Sequence, residues 1–163
     1  MQIYQKLTKG VDKLLYFGIG ITFSVLIASC VLQVFTRTVL NDSLSWTEEL
    51  ARYAFIWSNF LGAAVCTKRG THATVTAMIE AIPENARKAL HLVVMAVIIL
   101  IAIVLIRYGF KVAFAVRSQL SPALRVSMGL IYAAAPVSGL FILWYAAYDF
   151  INAIRMIGRR EMV

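Results

Sequence analysis

The residues in this chain best able to do chemistry are two cysteines, two histidines and one tight group of charges. Cys30 and Cys66 together would suggest thiol–disulfide exchange, but neither belongs to a C-x-x-C motif. They fall toward opposite ends of two successive antiparallel apolar segments, so both read as buried spectators. His72 and His91 would have to bracket a bilayer midplane to hold a haem. Both instead flank apolar segments on the same side, and no third ligand completes a zinc set. No nucleotide loop or catalytic triad is present. The chain is therefore expected to be no enzyme, with no catalytic, metal or cofactor residues. The remaining group is Ser45-Trp46-Thr47-Glu48-Glu49, with Arg52 one turn on. Ser45 and Glu48 have capping-box spacing for a helix start. The two acids suit the positive end of its dipole, and Glu48 and Arg52 form an i,i+4 pair.

The elements that must carry these residues follow from composition. The 163 residues are 61% hydrophobic and 15% charged, with a mean hydropathy of +0.78. Soluble domains are about 45–50% apolar and about 25% charged. A soluble enzyme, a disordered chain and a disulfide scaffold are set aside. Charge-free stretches at 14–36, 53–67, 89–106 and 126–148 mark the apolar segments. A spanning helix needs about 20 residues. The capping box extends the second segment upstream, and the third runs on past Arg107. The expectation is a single all-α integral membrane domain over 1–163. It has four transmembrane helices at about 14–36, 46–68, 87–110 and 126–150. A short amphipathic helix at about 73–82 lies in the cytoplasmic interface, since Val75, Met78, Ile79 and Ile82 follow one helical face.

The net charge of +8 reads as cytoplasmic loops and membrane lipids rather than nucleic acid. Ten Lys and Arg fall on the side of the termini and second loop, and six on the side of the first and third loops. The N and C termini are therefore expected in the cytoplasm. Ile27-Ala28-Ser29-Cys30 resembles a lipobox. The apolar run around it exceeds a signal's about 7–15 residues, so the segment is expected to stay as an uncleaved anchor.

Small residues recur every four positions in the second helix: Ala54, Ser58, Gly62 and Cys66. Such spacing lets helices approach closely in lipid. Pro136, between Ala135 and Gly139, predicts a kink. Trp46, Trp144, Tyr145 and Tyr148 suit interfacial anchoring, whereas Trp57 lies deeper and suits a partner helix. The span interiors lack the ionisable groups that mark substrate and ion paths in transporters. Gln33, Ser58 and Asn59 are their notable polar residues, each of a kind that a neighbouring helix satisfies. The chain thus reads as one that moves no solute alone.

The run Trp46-Thr47-Glu48-Glu49-Leu50-Ala51-Arg52-Tyr53, then Trp57, Phe60-Leu61-Gly62-Ala63 and Gly70-Thr71-His72, resembles the small membrane subunit of tripartite ATP-independent periplasmic (TRAP) transporters. Arg37 and Pro83 belong to the same pattern, and the four-span layout agrees. The family often has an acid four residues after the histidine, where this chain has Thr76. The resemblance implies a sodium-driven transporter of organic acids, of the dicarboxylate or sialic acid class, in a bacterial inner membrane. A large multi-span subunit carries substrate, and a periplasmic substrate-binding protein delivers it. The small permease subunit binds the large one and extends its static scaffold. On this reading Arg37, Trp46, Glu48, Glu49, Arg52 and Trp57 serve the partner interface or the outer corner between the first two helices. Gly70 and His72 form a cytoplasmic loop motif. Arg117 and Arg125, in the basic third loop, are possible contacts for the binding protein. A homodimeric small multidrug exporter is the alternative. It would want a carboxylate inside the first span, where Asp12 and Asp42 lie outside. A generic membrane assembly protein is a further one.

Overall fold

The computed structural model describes residues 2–40, 44–69 and 84–160. The expected interfacial helix at 73–82, together with Gly70 and His72, lies outside the described residues. All the regular elements described are helices: α1 (Gln2–Val39), α2 (Ser45–Arg69), α3 (Glu84–Ala115), α4 (Met128–Tyr132) and α5 (Ala134–Arg160).

Among the described residues, three segments are long and apolar enough to cross a membrane: Thr8–Val39, Leu90–Ala115 and Met128–Ile151. They coincide with the first, third and fourth expected spans. The third does continue past Arg107. The second, α2, has 25 residues but is less apolar, because Arg52, Ser58 and Asn59 interrupt it. Two of these polar side chains are satisfied by their own helix rather than by a neighbour. Ser58 Oγ and Asn59 Nδ2 both donate to the Phe55 carbonyl, at 3.0 and 2.9 Å. Thr22, Thr36, Thr38 and Thr67 donate to preceding-turn carbonyls in the same way.

The chain divides into two compact units. One comprises Met1–Gly62 with Val112–Ala134, the other Ala63–Lys111 with Ala135–Val163. In the first, Leu15, Ala51, Ala54, Leu61, Ala113 and Ile131 are buried. Two glycines set its close approaches. A Cβ on Gly129 would stand 2.7 Å from the Ala113 carbonyl oxygen, and one on Gly18 would touch Leu61 at 3.3 Å.

In the second unit, α3 and α5 pack through small residues. A Cβ on Gly109 would stand 2.6 Å from Pro136 Cδ, and one on Gly139 would stand 3.2 Å from the Ala102 carbonyl oxygen. Met95, Ala102, Ile142, Tyr145 and Ala146 are buried there. Tyr145 is thus a packing residue rather than an interfacial anchor. The kink expected at Pro136 appears as a break at Ala133, between α4 and α5. Proline has no N–H for the carbonyl four residues back, Tyr132, and its ring crowds that carbonyl.

Candidate functional site

Two adjacent carboxylates at the start of α2 have opposite surroundings, because successive helix residues point about 100° apart. Glu48 is exposed, and its Oε1 meets Arg52 Nη2 at 2.9 Å, with side-chain exposures of 58% and 65%. The contact seen for Glu48 is this i,i+4 pair rather than a return to the Ser45 backbone, and Ser45 itself is the first helical residue. Water screens such a pair, leaving it worth about 0–1 kcal/mol.

Glu49 is buried, at 8% exposure. Its Oε2 accepts the backbone N–H groups of Ala123 and Leu124 at 2.8 and 2.9 Å. Its Oε1 accepts the Tyr53 hydroxyl, and the Ser121 side chain adds another hydrogen bond. Beneath it, Thr47 is fully buried and donates to the Leu44 carbonyl at 2.7 Å. The Tyr53 hydroxyl also lies 3.7 Å from Met128 Sδ.

The local sequence explains why those two amides need an acceptor. Ser121-Pro122-Ala123-Leu124-Arg125 makes a single helical turn, closed by Arg125 N–H to the Ser121 carbonyl at 3.2 Å. Pro122 suits the first position of the turn. The next two N–H groups are those that any helix start leaves unpaired. Glu49 supplies the missing anion from another element. Arg125 ends the turn in the left-handed region, at φ 53°. Ser121 Oγ accepts Val126 N–H at 3.1 Å. Ser121 N–H to Val126 O and Met128 N–H to Gln119 O, both 2.9 Å, hold the flanks as a short antiparallel bridge. Ser127 Oγ closes the base by donating to the Arg117 carbonyl at 2.6 Å. The loop between α3 and α4 is therefore a built structure clamped to the start of α2.

The other sequence-derived residues spread around this centre. Trp46 is exposed at 39%. Arg37, in the last turn of α1, is exposed, and Trp57 is half-buried. In the small-residue series only Ala54 is buried; Ser58 and Gly62 are half-buried and Cys66 is exposed. The buried face of α2 runs instead through Ala51, Ala54, Leu61 and Ala64. Cys30 and Cys66 are both exposed on this chain, so neither is buried within it. Arg117 and Arg125 are exposed on the clamped loop. Sequence reasoning placed Glu49 at the corner between the first two helices; the contacts it makes run to the loop before α4. Tyr53, Ser121, Ala123 and Leu124 were missed as its partners. The available signal was Ser121-Pro122, a pair that favours turn initiation.

Long apolar helices, together with a polar cluster that bonds its own backbone, define a multi-pass membrane subunit whose buried carboxylate holds architecture. The family model described as the DctQ component of tripartite ATP-independent periplasmic transporters matches residues 26–156. The chain belongs to that family: it is the small permease subunit of a bacterial TRAP transporter, a transport component and not an enzyme. It is 30% identical over 136 residues to the sialic acid TRAP transporter small permease protein SiaQ of Vibrio cholerae, covering 82% of this chain and 78% of that one. It is 27% identical over 134 residues to the ectoine TRAP transporter small permease protein TeaB of Halomonas elongata, covering 81% and 68%. It is 25% identical over 144 residues to the sialic acid TRAP transporter permease protein SiaT of Haemophilus influenzae, covering 88% of this chain but 22% of that one. A tripartite transporter implies two further components, a large permease and a periplasmic binding protein.

Proposed function

We propose that this chain is a static scaffold subunit of a sodium-driven TRAP transporter for an organic acid in a bacterial inner membrane. It binds the large membrane subunit and carries no substrate itself. The observation that carries this reading is the contrast between its two kinds of surface. Only 11% of the apolar window is buried within the chain in Thr8–Val39, and the same share in Leu90–Ala115, whereas Glu49 is fully engaged by internal donors. Faces that bind lipid and partner are abundant, and the one acid buried among the described residues is committed to holding a loop. The match to a short stretch of the much longer SiaT chain supports a module that works beside a larger permease. The relatives named for sialic acid and ectoine support a small organic acid as cargo of the assembly.

In this reading α2 is a fourth spanning helix, made tolerable by its self-satisfied Ser58 and Asn59. Both termini are cytoplasmic. The clamped loop faces the periplasm, where Arg117 and Arg125 meet the acidic surface of the binding protein. The scaffold role is tested by purifying the large subunit through a tag on this chain. Co-purification is expected, and a tagged chain that emerges alone and exports cations as a dimer would overturn the reading. Arg52→Ala refines the test. It is expected to change the isolated chain's stability by less than about 1 kcal/mol. A greater loss confined to the complex would place Arg52 against the large subunit.

A further inference from the structure

One face of α3 carries two cations that no described residue pairs with a counter-charge. Leu100, Val104, Arg107, Lys111 and Phe114 follow one another at four- and three-residue steps, so they form a single stripe along the helix. The stripe is open throughout: Leu100 is 64% exposed, Val104 45% and Phe114 60%, and Arg107 and Lys111 are exposed as well. Ile103, at 51%, widens its apolar end. All of these residues lie within the apolar segment Leu90–Ala115. Among the described residues, neither Arg107 nor Lys111 has an ion-pair partner. The sequence holds no Asp or Glu anywhere from 85 to 148.

A complementary ligand must be apolar along the Leu100–Val104 stretch, about 6 Å of helix, and anionic just beyond it. Arg107 and Lys111 stand about 12 and 6 Å before the end of the helix at Ala115. At that depth long cationic side chains reach the headgroup region while their stems stay on apolar surface. Residues four apart on a helix are close enough to share one phosphate. We infer that this stripe is a binding site for an anionic phospholipid, its phosphate on Arg107 and Lys111 and an acyl chain along Ile103, Val104 and Leu100. The inference rests on α3 crossing the bilayer and does not depend on which way the chain is oriented.

The test uses the full chain, alone and within its transporter, in nanodiscs of mixed phosphatidylcholine and phosphatidylglycerol. Native mass spectrometry counts the retained lipids. The wild-type chain is expected to retain phosphatidylglycerol in preference, with the preference falling roughly fivefold for each cation removed in Arg107→Gln and Lys111→Gln. The charge-preserving exchange Arg107→Lys with Lys111→Arg is expected to keep it, which separates lost charge from lost folding. Added inorganic phosphate is expected to displace nothing. Three results would overturn the inference: equal retention in the double glutamine variant, displacement by inorganic phosphate, or loss of the bound lipid once the partner subunits assemble, which would assign the stripe to a protein acid.

Discussion

Glu49→Ala is expected to release the loop at 121–126 and to lower the yield of assembled transporter by about tenfold or more. The substitution removes the acceptor of two backbone N–H groups, at Ala123 and Leu124, and of the Tyr53 hydroxyl. Unpaired buried donors are costly because folding has already taken their water away. The released donors can be satisfied again only by opening the turn to solvent. Glu49→Gln is a sharper probe. The amide keeps the shape and one acceptor oxygen but turns a donor toward groups that also donate. It is expected to fall between wild type and alanine. Tyr53→Phe removes one donor and leaves the pair of backbone bonds, so its effect is expected to be the mildest of the three. Amide exchange at 121–126 reads the loop, and tag-based recovery of the large subunit reads assembly. Wild-type protection in Glu49→Ala would mean that the turn holds without the carboxylate.

The second large effect is expected at two glycines. Gly129→Ala would place a methyl 2.7 Å from the Ala113 carbonyl oxygen and 3.0 Å from Arg117 Cα. Both obstacles are backbone, so a helix must move rather than a side chain. Gly109→Ala would place a methyl 2.6 Å from Pro136 Cδ and 3.0 Å from its nitrogen, against a rigid ring. Overpacking of this kind costs about 1–3 kcal/mol and sometimes more. Gly20→Ala and Gly62→Ala are the matched controls, since a Cβ at either meets nothing within 4 Å. Alanine also favours a helix over glycine by roughly 1 kcal/mol, so the controls are expected to be neutral or slightly stabilising. Unfolding of the purified chain in detergent separates the two groups. Equal stability across all four variants would deny that close approach at Gly129 and Gly109 holds these helices.

The apolar framework could be read from the sequence because charge gaps are a direct record of it. Segments free of Asp, Glu, Lys and Arg mark the apolar middles of three long helices, which run on well beyond them, and the motif around Glu48 to Arg52 pointed to the family to which the chain belongs. What escaped is governed by non-local geometry. Glu48 and Glu49 are identical in type and adjacent, yet one is screened by water and the other is enclosed. Only the loop some seventy residues on, brought against α2 by the fold, distinguishes them. In the small-residue series of α2 only Ala54 is buried within this chain, for a related reason. A four-residue spacing drifts around a helix of 3.6 residues per turn, so the line from Ala54 to Cys66 leaves the buried face that Leu61 and Ala64 keep. The break before Pro136 was signalled, because proline acts on the carbonyl four residues back whatever its surroundings.

The central claim is that the clamp fixes one rigid piece of a subunit that stays still while its partner moves substrate. A distance across the clamp during transport measures this directly. Spin labels would replace the exposed Ser45 and Ser118 after Cys30 and Cys66, both exposed, are substituted. Pulsed dipolar spectroscopy on the complete transporter in nanodiscs then compares the resting state, sodium alone, and sodium with substrate and binding protein. One narrow distance distribution is expected, the same in every state and broadened only by Glu49→Ala. A distance that shifts with sodium or substrate would show that this corner takes part in the transport movement, and would contradict it.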